Sequence, residues 1–83
     1  MAEKRIGKIT HYFDKIGVAI VELLGNLSLG DHIHVKGTNT DFEQEVNSMQ
    51  VDHNNVSQAK KGEVVGLKVD QKVKEGDEIF SIT

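Results

Sequence analysis

Three segments of this sequence share one pattern: a glycine, then an acidic residue, then a short run rich in apolar residues. They are Leu27–Val35, Lys61–Val69 and Glu75–Ile82. Glycine readily adopts the positive φ that many tight turns require, and an acidic side chain accepts hydrogen bonds from nearby backbone N–H groups. The pattern therefore predicts short strands joined by tight turns, which limits the fold to the all-β class.

The remaining sequence fits the same architecture, because no segment shows a sustained helical period and apolar residues alternate in short runs. In the third predicted strand, Ile33 and Val35 share the inward face, while His32 and His34 share the other. In the fifth predicted strand, Val65, Leu67 and Val69 face inward. We predict a single domain over residues 1–83, a small closed six-stranded antiparallel barrel of Greek-key type with its core between about residues 6 and 82. The six predicted strands are Arg5–Phe13, Val18–Leu24, Asp31–Lys36, Phe42–Val51, Val64–Val69 and Glu78–Ile82. A long polar loop is predicted over residues 52–62.

Two predicted strands depart from simple alternation. In the fourth strand the apolar positions change parity near Asn47-Ser48, which predicts a β-bulge there. The second strand is apolar on both faces, and a small barrel can bury only one of them. In the first strand, alternation places Ile9 and Phe13 on one face and Tyr12 on the other.

Composition narrows the classes of function. The chain has no cysteine, and its 10 basic against 13 acidic residues give a net charge of −3. A free-standing nucleic-acid-binding protein usually carries a basic excess instead. The N-terminus does not resemble a signal peptide, and the longest apolar run, Val18–Val21, is too short to cross a bilayer. These features predict a cytoplasmic protein without membrane association.

The ordered set of motifs resembles domain 2 of the translational GTPases, the family of elongation factor Tu, elongation factor 1-alpha and initiation factor 2. The matching segments are Leu27–Val35, Val46–Gln50, Gln58–Val69 and Glu75–Asp77. The stretch Thr10–Ile16 is also similar to a smaller subgroup of stand-alone or C-terminal barrels, some of them appended to collagenase-like peptidases.

The first resemblance implies a six-stranded barrel that contacts a GTPase domain, ribosomal RNA or the acceptor end of tRNA. The sequence lacks the Gly-x-x-x-x-Gly-Lys-Ser/Thr phosphate loop, so we predict no GTP binding. Leu23 and Leu24 stand where tRNA-holding relatives often carry a charged pair, which favours an apolar contact with a protein at that position.

Candidate chemical sites are few. His32 and His34 could bind zinc together with His11 or His53, or they could be two solvated surface histidines. Acid–histidine neighbours such as Asp52-His53 are ordinary residues of turns, and no serine lies in a Gly-x-Ser-x-Gly motif. The sequence therefore predicts a protein that is not an enzyme, with no catalytic residue, metal site or cofactor.

The sequence also offers two further binding interpretations. Lys8, Lys60 and Lys61 are candidate RNA contacts in a basic patch where Tyr12 and Phe13 could stack on bases; the alternative is a solvated surface of mixed charge. The C-terminal segment resembles biotinyl and lipoyl carrier domains, but these need an exposed lysine, typically beside a methionine, and the segment around Met49 has none.

The candidate partner surface combines the first hairpin with the end of the second strand. Aromatic, charged and apolar side chains occur together there, as they do in protein interfaces. We predict a non-catalytic, translation-factor-like barrel that binds a protein, an RNA or a ribonucleoprotein; the alternative is an accessory protein-interaction barrel of a peptidase-like or other enzyme, without RNA contact. The predicted surface consists of Tyr12, Phe13, Asp14, Lys15, Leu23 and Leu24.

Overall fold

The computed structural model describes residues Glu3 to Ile82, and every regular element in this range is a β-strand. This confirms the predicted all-β class. Residues 3–82 contain no helix long and apolar enough to cross a membrane. The strands are β1 (Glu3–Phe13), β2 (Val18–Leu23), β3 (Leu27–Ser28), β4 (His32–Lys36), β5 (Asp41–Glu45), β6 (Met49–Val51), β7 (Asn54–Asn55), β8 (Gln58–Ala59), β9 (Val64–Lys68) and β10 (Glu78–Ile82).

Eight strands form one antiparallel sheet in the order β5-β4-β10-β1-β2-β9-β6-β7, and β3 pairs with β8 in a separate two-stranded sheet. The outer strands β5 and β7 do not pair with each other, so the predicted closed six-stranded barrel is wrong in its closure and in its strand count. The long loop predicted over residues 52–62 contains β7 and β8.

Two of the predicted strands are shaped differently from the prediction. The fourth predicted strand is interrupted rather than bulged: β5 ends at Glu45, β6 begins at Met49, and the break lets both Val46 and Met49 point into the core. Register shifts lie in β1 instead, near Ile6 and near Thr10. Each shift reverses the alternation of side chains. Tyr12 therefore packs against the core while Phe13 is exposed, opposite to their predicted faces.

The core lies on the inner face of the sheet. Ile33 and Val35 of β4 are buried, as are Val65 and Leu67 of β9, which confirms the predicted orientation of these two strands. Ala59 is also buried inside the predicted loop, where β8 pairs with β3.

The glycine–acid segments fold into three equivalent turns, Ser28–Asp31, Lys60–Glu63 and Lys74–Asp77. In each, the third residue is a glycine with φ of +87°, +92° and +92° respectively. The acidic residue donates its N–H to the carbonyl of the first residue at 3.1 Å, and its carboxylate accepts the N–H of that same residue at 2.9, 2.6 and 2.9 Å. The carboxylate thus closes each turn with a second hydrogen bond.

Each turn also forms two backbone hydrogen bonds with one buried residue of another segment. The glycine N–H donates to the carbonyl of that residue, and the carbonyl of the acidic residue accepts its N–H, all between 2.8 and 2.9 Å. The residues bound in this way, in the order of the turns, are Val46, Leu23 and Ile9, each at most 1% exposed. The repeated sequence pattern therefore marks three turns that are each hydrogen-bonded to a core residue.

A buried glutamine links the outer strand β5 to the end of β9. Gln44 is 5% exposed; its Nε2 donates to the carbonyl of Lys68 at 2.9 Å, and its Oε1 accepts the N–H of Asp70 at 2.8 Å. β5 and β9 are not paired through their backbones, so the Gln44 side chain provides a direct link between them.

Candidate functional site

The hairpin between β1 and β2 exposes two large apolar side chains. The carbonyl of Phe13 accepts the N–H groups of Ile16 and Gly17 at 3.3 and 2.9 Å, and Gly17 has a φ of +66°. This tight turn leaves Phe13 44% and Ile16 59% exposed. Solvent exposure of large apolar side chains side by side is typical of a contact surface.

An apolar groove of about 340 Å³ continues from this hairpin over the outer face of β2 and β9. Val18 and Ile20 form its wall on β2, and Val64 on β9 is 53% exposed. Ile20 lies opposite Gly66 in the β2–β9 pairing, and Gly66 has no side chain to fill the space. The groove residues are Phe13, Ile16, Val18, Ile20, Gln50, Asp52, His53, Val64, Val65 and Gly66.

The far rim of the groove is polar. Asp52 and His53 form the two-residue connection between β6 and β7, with φ of +52° and +66°. Gln50, on β6 opposite Gly66, hydrogen-bonds to the side chain of Asn55 at 3.1 Å. An apolar centre with a polar rim is the usual anatomy of a protein-binding surface.

The structure divides the predicted partner surface. Phe13 lines the groove, and Tyr12, Asp14 and Lys15 lie beside it on the same hairpin, around a smaller depression that Phe13 and Ile16 also line. Leu23 is 1% exposed, so this part of the prediction is wrong: the side chain belongs to the core.

Leu24 is 37% exposed but lies at the opposite end of β2 from the hairpin, where its N–H donates to the carbonyl of Ile6 at 2.8 Å. It is not a groove residue. The prediction also omitted Ile16 and Val64. Ile16 could have been recognised in the sequence as an apolar residue inside a predicted turn. Val64 could not, because only the pairing of β9 with β2 brings it to the groove.

The predicted RNA-contacting lysines lie on two different segments, each with acidic neighbours. Lys8 lies on β1 between Glu22 and Glu78, its paired residues on the two neighbouring strands. Lys60 and Lys61 belong to the second glycine–acid turn, where the carboxylate of Glu63 accepts the N–H of Lys60. Binding of RNA through these lysines stays a prediction.

The histidines lie in different environments. His32 is exposed, and His11 lies 3.1 Å from the carboxylate of Glu75. His34 is engaged on both ring nitrogens, by Glu3 at 2.7 Å and by Asp41. The hydrogen bonds to Asp41 and then to Glu3 raise the pKa of His34, and the bond to His34 lowers the pKa of Asp41. Over residues 3–82, no group of three or more acidic, histidine or cysteine residues is arranged to hold a metal ion.

The relatives found by sequence are named as a protease and a collagenase. The sequence is 42% identical over 76 residues to an uncharacterized protease of Methanocaldococcus jannaschii, covering 90% of this chain and 19% of that protein. It is 32% identical over 77 residues to a collagenase of Porphyromonas gingivalis, covering 90% of this chain and 21% of the collagenase. The chain thus spans about a fifth of the length of these relatives. No protein-family model matches the sequence.

The fold matches a solved domain. The C-terminal domain of a Geobacillus thermoleovorans protein described as a U32 peptidase superposes with a TM-score of 0.90 at 18% identity, covering 96% of this chain and 93% of that domain. The selenomethionine variant of this domain gives a TM-score of 0.87 at 19% identity, covering 92% of this chain and 96% of the domain.

These comparisons overturn the resemblance to domain 2 of translational GTPases, and with it the assignment as an elongation-factor-like module. The relatives are named as a protease and a collagenase, and the matching structure is a peptidase's C-terminal domain. Of the two predicted functions, the comparisons support the alternative, an accessory domain associated with a peptidase-like enzyme.

Proposed function

We propose that this chain is a non-catalytic accessory domain that binds a U32-peptidase-like polypeptide through the apolar groove beside the β1–β2 hairpin. The observation that carries the proposal is the groove itself, an exposed apolar surface on a domain whose sequence relatives are peptidases about five times its length.

The energetics favour a protein occupant. Phe13, Ile16 and Val64 are each between 44% and 59% exposed, and they leave apolar area that only a partner can remove from water. Complete burial of such a side chain contributes about 1.5–3 kcal/mol, so even partial coverage of all three supplies a useful share of a micromolar affinity. The polar rim formed by Gln50, Asp52 and His53 would hydrate the edge of such an interface.

His34 is poorly placed to act as a general base. A general base needs a ring nitrogen free to take a proton, but in His34 both nitrogens face carboxylates. The sequence has no cysteine to act as a nucleophile. In this proposal the chemistry resides in the peptidase-like partner.

The test measures binding of the fluorescently labelled chain to a purified U32-peptidase-like protein encoded by the same genome, by anisotropy. The double variant Ile16→Ser with Val64→Ser removes the two most exposed large apolar side chains of the groove. The matched control is Leu24→Ser with Leu29→Ser, which removes two side chains that are 37% and 43% exposed elsewhere on the surface.

We expect the groove variant to lose at least about tenfold in affinity, equivalent to about 1.4 kcal/mol, and the control to stay within about twofold. Circular dichroism establishes that both variants remain folded. Absence of binding by the unaltered chain, or equal losses in the two double variants, would overturn the proposal.

A further inference from the structure

His34 joins two strands that are not neighbours in the sheet. It lies on β4, which pairs with β5 on one side and with β10 on the other, and β10 in turn pairs with β1. Its Nδ1 lies 2.7 Å from Oε2 of Glu3 on β1, and its Nε2 contacts Oδ1 of Asp41 on β5. The imidazole, 13% exposed, therefore spans four strands; we call His34 with Glu3 and Asp41 the histidine bridge.

The two hydrogen bonds of the histidine bridge require the imidazole ring to be positively charged. An ionised carboxylate only accepts hydrogen bonds, so each ring nitrogen must carry a hydrogen to bond both Glu3 and Asp41. Only the imidazolium has two N–H groups; neutral imidazole has one and must leave one carboxylate unpaired. The geometry is therefore complete only when His34 is protonated.

The surrounding charges reinforce this dependence. Cross-strand partners share a face of the sheet, so Glu43 faces His34 directly, and Glu45 faces His32. Arg5 is already paired with Glu78 at 2.6 Å, and Lys36 lies 5.9 Å from the centre of the Phe80 ring. The charged groups of this face are Glu3, Arg5 and Lys8 on β1, Lys36 on β4 with His32 and His34, Asp41, Glu43 and Glu45 on β5, and Glu78 on β10. Its five carboxylates exceed its three permanent cations, so loss of the imidazolium increases the excess of negative charge.

We propose that the histidine bridge is a pH-sensitive clasp that holds the edge strand β5 and the beginning of β1 to the sheet when protonated, and loosens both when it loses its proton. This inference is independent of the proposed groove function, because the groove lies over β2 and β9 on another part of the sheet.

The direction of the effect follows from the raised pKa of His34, caused first by Asp41 and then by Glu3. A histidine whose pKa is higher in the folded than in the unfolded state stabilises the fold fully below its unfolded value of about 6.5. That stabilisation disappears as the pH rises through the folded pKa. The clasp is therefore closed at mildly acidic pH and open at alkaline pH.

The test uses amide hydrogen exchange and NMR titration of the whole chain between pH 5.5 and 8.5, with exchange expressed as protection factors. The variant His34→Gln keeps a polar side chain but cannot become charged. The control His32→Gln alters the neighbouring histidine on the same face of β4. The amides of β2 and β9 serve as the internal reference.

In the unaltered chain we expect the protection of β5 and of the beginning of β1 to fall several-fold with rising pH, relative to β2 and β9. His34→Gln should show reduced protection of β5 that no longer varies with pH, while His32→Gln should follow the unaltered chain. In addition, Glu3→Gln and Asp41→Asn should each lower the midpoint of the His34 ring titration. Constant relative protection of β5 in the unaltered chain, or the same pH response in His34→Gln, would overturn the clasp.

Discussion

Replacing Gln44 with methionine should destabilise this domain more than any other single loss of a polar side chain on β5. Gln44 is 5% exposed and forms the link between β5 and the end of β9. Methionine has a similar length and fits an apolar site, but it neither donates to the carbonyl of Lys68 nor accepts the N–H of Asp70.

The expected magnitude follows from those two backbone groups. A buried polar group that loses its partner costs about 1–3 kcal/mol, and here one carbonyl and one N–H lose theirs together. The apolar methionine side chain offsets part of this cost, so we expect a loss of about 2–4 kcal/mol in the free energy of unfolding. For a domain of this size, that is a large share of the total stability.

Urea denaturation followed by circular dichroism measures the loss, and hydrogen exchange locates it. Gln58→Met is the matched control, since Gln58 is exposed on β8 and its replacement should change stability by less than about 0.5 kcal/mol. The amide of Asp70 should lose protection in Gln44→Met. If Gln44→Met costs no more than the control and the Asp70 amide stays protected, the glutamine does not hold β5 to β9.

The remaining stability predictions concern the core and the turns. Val35→Ala and Leu67→Ala should each cost about 2–4 kcal/mol in urea denaturation, because both side chains are 0% exposed; a cost below about 1 kcal/mol would contradict their assigned place in the core. Gly62→Ala should cost about 1–2 kcal/mol through backbone strain alone, since φ is +92° and the added Cβ meets no atom of a non-adjacent residue within 4 Å. An unchanged denaturation midpoint for Gly62→Ala would show that the turn relaxes without cost.

Local sequence patterns determined the strands, several of the buried faces and the turns. Alternation of apolar residues predicted that Ile33, Val35, Val65 and Leu67 face inward, and all four are buried. These predictions succeeded because a regular strand sends successive side chains to opposite faces, whatever its partners are. The glycine–acid turns were recognisable for a similar reason, since their defining hydrogen bonds join residues three apart in the sequence.

The same reasoning failed where strand pairing changes the local pattern. The register shifts in β1 reverse the faces of Tyr12 and Phe13, and no residue type marks their positions. Leu23 was assigned to a partner surface because it and Leu24 stand where tRNA-holding relatives often carry a charged pair. In the structure Leu23 is buried in the core and hydrogen-bonded by the second glycine–acid turn. Closure of the sheet likewise depends on which strands meet, and alternation carries no information on that.

The candidate site was therefore only half visible in the sequence. Phe13 and the two apolar faces of β2 were visible in the sequence, whereas the groove exists because β9 places Gly66 opposite Ile20 and leaves Val64 beside the hairpin. The histidine bridge shows the same division. The sequence placed His34 on the outer face of its strand, but only the tertiary structure brought it to Glu3, 31 residues away along the chain. Strand periodicity is local and written in the sequence, whereas contacts between distant residues depend on the pairing of strands, which the folded chain alone decides.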